Sequence, residues 1–205
     1  DHIEVFANKD DGIEFFGGSV NARHLAVLYV GDDSFDFDEG YNGTLQFLLS
    51  VQDYQSNRAV EWDGSTEGDD LGVTTNGTNP WTDVRIANMT AIGAGMNTTS
   101  AHEDNNIGLE IRDNGAGEVY NSIFVEMSKS IMDIEATSSS KGTVSDTNSS
   151  LYGSQALLQN GTLEFKGNIF YNGGKGNTAL GTAENDQLVA DIIGLAGNSN
   201  SFDVD

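Results

Sequence analysis

Two stretches of the chain repeat one another at a displacement of 22 residues, and this repeat constrains the fold more than any other feature of the sequence. The first copy runs from Ile3 to Gly18 (IEVFANKDDGIEFFGG) and the second from Leu25 to Gly40 (LAVLYVGDDSFDFDEG). A unit this short cannot bury its own apolar residues, so successive copies have to stack and share a core. The repeat therefore predicts a solenoid in which each copy forms one coil.

The apolar residues within each copy alternate with polar ones, as they do in β-strands. Ile13 and Phe15 in the first copy correspond to Phe35 and Phe37 in the second, and a third, stretched copy continues the alternation around Trp62. Gly, Asn and Asp mark the turns, and the pattern has no helical period. We therefore predict an all-β solenoid of about 22 residues per coil.

Length and composition favour a single domain over residues 1–205, without a linker between two globular bodies. After Gly64 the repeat is interrupted by polar insertions, which we interpret as loops on the coil stack, at residues 65–83, 94–107 and 136–154. Strands are predicted around these insertions at residues 84–93, 108–113, 119–127, 130–135 and 162–174, with weaker strands at 188–195 and 202–204. Because the chain begins inside a strand, we expect it to be part of a longer protein.

The net charge of the chain excludes one large class of partners. With 9 Lys and Arg against 32 Asp and Glu, the formal charge is −23. A field of this sign repels phosphate backbones, so we predict no nucleic-acid partner. The sequence contains no cysteine and therefore no disulfide. It also lacks the roughly 20 consecutive apolar residues of a transmembrane helix, and we expect no transmembrane segment.

The strand alternation also places a row of acidic residues on one outward face. When the apolar side chains of each strand point inward, the acidic side chains between them point outward. Stacking of the coils then aligns Glu14, Asp36 and Glu61, with Asp38 and Asp63 beside them. Adjacent rungs are about 4.8 Å apart, where two like charges repel by roughly 3 kcal/mol at an effective dielectric near 20. This row needs a means of neutralisation.

Three means are open to it: side chains that splay into solvent, carboxyls that keep their protons, or a bound Ca²⁺ ion. Ca²⁺ suits such a row because it accepts about six to eight oxygen ligands in loose geometry. The turn acids at positions 10, 11, 32 and 33 enter the same strands and favour the cation, although Asp is also an ordinary turn former. The predicted Ca²⁺ ligands are Glu14, Asp32, Asp33, Asp36, Asp38, Glu61 and Asp63.

A smaller ladder occurs at the turns, where His2 lies 22 residues before His24. Two stacked imidazoles could hold a metal ion or act as a base. Histidines at turns are more often solvent-facing spacers, and this is how we interpret the pair from the sequence.

Three segments of the chain together resemble a known family. They are DDGIEFFGGSVNARHLAVLYVGDDSFDFDEGYNGTLQF, GLEIRDNGAGEVYNSIFVEM and SIMDIE. They resemble the core of large secreted right-handed parallel β-helix proteins of Gram-negative bacteria, over roughly Ile3 to Glu135. The resemblance implies a right-handed parallel β-helix that is secreted or displayed on the outer cell surface.

The parallel β-helix supports several activities, so function has to be argued from the residues. A polysaccharide lyase needs a cation for the uronate carboxylate and a Lys or Arg base on the same face, but Arg58, Arg85 and Arg112 lie in different coils. A hydrolase needs paired carboxylates. The acids at 32, 33 and 36 imitate them, but no matching His or basic clamp follows. An enzyme acting on acidic glycans is therefore the alternative to a non-catalytic module.

Aromatic rings beside polar turns would allow such a module to bind sugars, and the candidates are Phe16, Tyr41, Tyr54 and Trp81. A further interpretation is a stalk or filament of stacked coils, which the open strand edges of the first coil favour. We predict a secreted or cell-surface structural or adhesive module that binds Ca²⁺. Its predicted partner is an extracellular polysaccharide or another copy of itself.

Overall fold

The fold is described by a computed structural model of residues 1–64, 82–99, 101, 105–135, 154–174 and 191–202. Most of the predicted insertions at 65–83 and 136–154 lies outside these residues. Along the described chain the strands are β1 (Ile3–Phe6), β2 (Ile13–Phe16), β3 (Ala22–Leu28), β4 (Phe35–Asp38), β5 (Thr44–Val51), β6 (Arg58–Asp63), β7 (Asp83–Ala87), β8 (Thr90–Ile92), β9 (Ile107–Arg112), β10 (Ala116–Tyr120), β11 (Ile123–Val125), β12 (Ser130–Ile134), β13 (Leu163–Lys166), β14 (Ile169–Tyr171) and β15 (Ser201–Phe202).

The strands form two parallel sheets. The front sheet contains β2, β4, β6, β9 and β12, which stack in chain order. In the second sheet, the bent sheet, the first half of β5 pairs with β7 and its second half with β8. The chain bends at Phe47 between these halves, with a positive φ of 58°. Parallel strands that return in this order fit a parallel β-helix.

The register of the first coils is the one that the repeat predicts. Ile3 pairs with Leu25 in the bent sheet, and Ile13 pairs with Phe35 in the front sheet. Farther along, Phe35 pairs with Val60, and Val60 pairs with a residue of β9 on the far side of the insertion that follows β6. The 22-residue spacing does not describe these two steps, because insertions lengthen the coils, but it is nearly restored between β9 and β12, where Leu109 pairs with Met132.

Aromatic side chains stack along the core behind the front sheet. The ring of Phe37 lies 5.7 Å from that of Phe15 and 5.9 Å from that of Trp62. Tyr41 joins this stack, 4.6 Å from Phe15, and its hydroxyl donates a hydrogen bond to the Val20 carbonyl at 2.6 Å. Tyr41 is completely buried.

The prediction of Tyr41 as a solvent-facing sugar-binding residue is therefore wrong. The two preceding residues, Glu39 and Gly40, have positive φ angles of 51° and 75°. These angles turn the chain sharply after β4, so the Tyr41 ring folds back onto the core. Strand alternation does not predict the direction of a side chain that follows such a turn.

The chain is not purely β. Helix α1 (Ser154–Asn160) packs its buried leucines, Leu157 and Leu158, into the core, and residues 191–193 are also helical where a weak strand was predicted. Neither helical segment was predicted, and α1 is too short, at 7 residues, to show a 3.6-residue period. Within the described residues, no helix has the length and apolar character needed to cross a bilayer.

Candidate functional site

A row of carboxylates runs along the outer face of the front sheet, with one member from each of its five strands. Glu14 of β2 pairs with Asp36 of β4, and Asp36 with Glu61 of β6, as the alternation predicts. The row continues through Glu110 of β9 to Asp133 of β12. We call these five residues the acidic column.

Glu110 and Asp133 were not predicted from the sequence, although a signal for both is present there. Glu110 lies between the buried residues Leu109 and Ile111, and Asp133 lies between two buried apolar residues of β12. The same alternation that identified the first three acids identifies these two. The sequence does not place them in the same row, because the insertion after β6 conceals that β9 is the next strand in the front sheet.

Two arginines neutralise Glu61 and Glu110 in the acidic column. Nη2 of Arg112 lies 2.7 Å from Oε1 of Glu61, and the same guanidinium forms a bidentate pair with Asp63. Nε of Arg58 contacts Glu110, and its Nη1 lies 3.7 Å from Oε1 of Glu61. Guanidinium groups from neighbouring rungs thus provide a fourth means of neutralisation, which was not predicted from the sequence.

These ion pairs fix the protonation of both arginines. Burial lowers the pKa of Arg58, but the carboxylates of Glu110, Asp33 and Glu61 outweigh it, and the net shift is upward. The same balance, dominated by Asp63, raises the pKa of Arg112. A general base has to give up its proton at working pH. Neither arginine can readily do so while it holds these carboxylates.

The end of the acidic column that contains Glu14 and Asp36 has no such counter-ion among the described residues. The carboxylates of Asp11, Glu14 and Asp36 each offer an oxygen within 4.8 Å of the others, and we call these three residues the Asp11 cluster. Asp11 also belongs to a second group of this kind, with Asp10 and Asp32. Among the described residues, no lysine or arginine forms an ion pair with any of these five carboxylates.

Burial and repulsion raise the pKa values of these crowded carboxyls. Burial raises the pKa of Asp36 to about 8, and the charges of Glu61, Asp11 and other acids add to the shift. Burial likewise raises the pKa of Asp11 to about 6, although a hydrogen bond from the Asp33 amide opposes the shift. Asp36 therefore keeps its proton near neutral pH unless a cation replaces it.

The remaining predicted ligands lie elsewhere on the sheet or have other partners. Asp33 is buried, with 2% of its side chain exposed, and accepts a hydrogen bond from the Arg58 amide at 2.7 Å. Asp38 accepts one from the Glu39 amide at 2.6 Å. The structure thus divides the seven predicted ligands: Glu14, Asp32 and Asp36 lie in the two carboxylate groups, whereas Asp33, Asp38, Glu61 and Asp63 do not.

The predicted sugar-binding aromatics have different environments. Phe16 is 65% exposed and pairs with Asp38 on the outer face of the front sheet. Tyr54 is 51% exposed in the turn that follows β5. Tyr41 is buried, and Trp81 lies outside the described residues. Phe16 is therefore the candidate ring that lies on the same face as the carboxylates.

Nearly the whole chain matches a known family. A family model described as a pectate-lyase-like beta helix domain matches residues 1–201. No curated protein and no solved structure matches the chain. The family match confirms the parallel β-helix part of the resemblance drawn from the sequence.

Proposed function

The chain belongs to the family of pectate-lyase-like β-helix domains, and from this premise we propose that it is a secreted or cell-surface, right-handed β-helix module that binds Ca²⁺. The observation that carries the proposal is the Asp11 cluster, whose three carboxylates converge without a basic partner among the described residues. The role we propose is structural or adhesive, with an acidic extracellular polysaccharide as the partner.

The donors of the Asp11 cluster suit Ca²⁺. They are all carboxylate oxygens, which hard cations prefer, whereas Zn²⁺ favours nitrogen and sulfur ligands. A bound cation would also take the place of the proton that burial and repulsion leave on Asp36. Ca²⁺ binding should therefore release protons near neutral pH, as metal binding to protonated ligands does.

A Ca²⁺ ion in this position would link the acidic face to an acidic polymer. Three protein carboxylates leave several of the ion's about six to eight coordination positions open, and uronate oxygens and water suit them. Without the ion, the carboxylates of the acidic column repel a polyanion. The exposed ring of Phe16 lies in the adjoining row, where it can stack on a sugar. We therefore expect polysaccharide binding to depend on Ca²⁺.

Calorimetric titration of chelator-stripped protein with CaCl₂ tests the cation site. We expect saturable binding with a Kd of about 10⁻⁴–10⁻³ M, the range of extracellular Ca²⁺ modules. Glu14→Gln and Asp36→Asn should each weaken binding at least about tenfold, because each removes one of three converging carboxylates. Glu4→Gln, which removes an outward acid from the bent sheet, should leave it unchanged. No saturable heat from the wild type, or equal binding by all three variants, would contradict the site.

Retention on a uronic-acid polysaccharide, with and without a chelator, tests the adhesive role. If the chelator abolishes retention on the uronic-acid polysaccharide, the adhesive role is supported. If the protein is retained only on neutral polymers, the adhesive role is contradicted. The enzyme alternative makes a different prediction, the release of unsaturated or reducing ends from the same polymer. The ion-paired state of Arg58 and Arg112 argues against these two as the base of a lyase.

A specific observation favours self-association as a second candidate function. One outward row of the bent sheet is apolar from end to end, and it consists of Phe6, Leu28, Val51, Ile92, Val125 and Tyr171. The six rungs span about 24 Å at a spacing of about 4.8 Å. An uncharged strip on a chain of charge −23 is the surface where two copies meet with least repulsion.

Sedimentation velocity over a wide range of protein concentration tests this second candidate. The wild type should show a weak, concentration-dependent increase in sedimentation coefficient. Val125→Lys should abolish the increase, because it places a charge in the middle of the apolar strip. Thr44→Lys adds the same charge to the outward row that contains Arg85 and Glu118, and it should behave like the wild type. A wild type that stays monomeric throughout would exclude this candidate.

A further inference from the structure

We propose that His2, His24 and Asp1 form a binding site for a divalent transition-metal ion of the Zn²⁺ class, at the outer edge of the bent sheet. Nδ1 of His2 lies 2.8 Å from Oδ1 of Asp1, and Nδ1 of His24 lies 2.9 Å from the same oxygen. Two ring nitrogens thus converge on one point from adjacent coils. The three ligand atoms all lie within 4.8 Å of one another.

The fold holds these imidazoles in place through its coil stacking. His2 and His24 have nearly equal positive φ angles, 59° and 55°, at the point where each coil bends. Parallel stacking of the two coils brings the rings to 4.5 Å at an angle of 20°. The ring of Phe47 packs on the other face of the His24 imidazole, at 5.1 Å and 8°. His24 is thereby held in an orientation that aims Nδ1 at the carboxylate.

Histidine is not required at these positions by the backbone. Asn88 and Asn121 occur in later turns with the same left-handed conformation, at φ angles of 59° and 50°. Asparagine and histidine are both enriched at positive φ, so either residue meets the demand of this backbone. Two of the three histidines of the chain nevertheless lie on adjacent coils here. Their stacking brings nitrogen ligands together, which the conformation by itself does not demand.

The ligand atoms of His2, His24 and Asp1 favour a different ion from the Ca²⁺ proposed for the Asp11 cluster. Two imidazole nitrogens and one carboxylate oxygen suit Zn²⁺, Ni²⁺ or Cu²⁺, and they suit Ca²⁺ poorly. Nε of Arg23 lies 3.3 Å from Oδ2 of Asp1, so Arg23 holds one carboxylate oxygen while Oδ1 faces the imidazoles. The side chains of Asp1 and His2 are exposed, which leaves room for the ion and for water at its open positions.

Calorimetric titration with ZnCl₂ at neutral pH tests the site. The protein should carry a Gly-Ser extension before Asp1, so that no α-amino group contributes a ligand. We expect one ion bound per chain, and at least about tenfold weaker binding by His2→Asn and by His24→Asn. Asparagine is the chosen replacement because Asn88 and Asn121 adopt the required backbone conformation. Unchanged Zn²⁺ affinity in His24→Asn, or no saturable binding by the wild type, would overturn the proposal.

Two further measurements locate the ion independently of affinity. In the NMR spectrum of the wild type, Zn²⁺ should shift the ring C–H resonances of His2 and His24 and leave those of His102 in place. Asp36→Asn, on the front sheet, should bind Zn²⁺ like the wild type. If Asp36→Asn loses Zn²⁺ and the imidazole resonances stay still, the ion binds the acidic column and the proposal fails. This outcome would leave the Ca²⁺ proposal intact.

Discussion

Replacing Arg58 with methionine is expected to lower the free energy of unfolding by about 3 kcal/mol, at the lower end of what breaking a buried ion pair costs. The Arg58 side chain is only 12% exposed, and its guanidinium contacts Glu110 and lies near Glu61 and Asp33. Methionine retains much of the apolar stem but leaves these carboxyls without that charge. The expected decrease in the free energy of unfolding is near the lower end of the range for buried ion pairs, because Arg112 still contacts Glu61.

Arg85→Met is the matched control for this substitution. Arg85 is also paired, with Glu118 at 2.6 Å, but 58% of its side chain is exposed. Exposed pairs contribute about 0–1 kcal/mol, because water screens both charges. Denaturant unfolding at neutral pH should therefore separate the two variants, with a large change in midpoint for Arg58→Met alone. Equal losses in the two variants would show that the burial of the Arg58 pairs has no energetic consequence.

The parts of the fold that the sequence predicts are those in which one coil copies the next. Ile13 aligns with Phe35 because parallel strands of equal coils place equivalent side chains side by side. The alternation then assigns Glu14 and Asp36 to the outer face without further information. The register is lost at the insertion after β6, since the length of a loop does not reveal which strand follows in the stack.

The loss of register at the insertion after β6 also explains why Arg58 and Arg112 were not predicted as counter-ions of the acidic column. Arg112 contacts Asp63 because β9 pairs with β6, and these residues lie on either side of the insertion. In the sequence the two residues are distant and of opposite charge, and nothing there indicates that they form an ion pair. The charged face therefore looked uniformly acidic. In the structure Arg58 and Arg112 pair with Glu61 and Glu110, whereas the Asp11 cluster has no basic partner among the described residues.

The Asp36→Asn variant is expected to be more stable than the wild type at pH 8 in the presence of a chelator. The pKa of Asp36 is about 8 in the folded protein, against an ordinary value of 3.8. The folded state therefore binds this proton more tightly than the unfolded state does, and the contribution of Asp36 to stability falls as the pH rises from about 4 to about 8. An amide has no such proton to lose.

Thermal unfolding across this pH range measures the effect. The melting temperature of the wild type should fall more steeply with pH than that of Asp36→Asn. A difference of about 1 kcal/mol at pH 8 corresponds to about 2–4 °C for a chain of this size. Glu4→Gln should follow the wild type, since Glu4 lies on the bent sheet. A variant that melts below the wild type at every pH would show that the Asp36 carboxylate stabilises the fold by itself.

Saturating Ca²⁺ at the same pH should reverse the order of the melting temperatures of the wild type and Asp36→Asn. A ligand at about 100 times its Kd stabilises the folded state by about 2.7 kcal/mol, and this gain belongs to the protein that keeps the carboxylate. The wild type should therefore melt above Asp36→Asn in Ca²⁺ and below it in chelator. A merely crowded aspartate predicts the chelator result alone, and a purely structural aspartate predicts neither. Only a cation site at Asp36 makes the two melting curves exchange places.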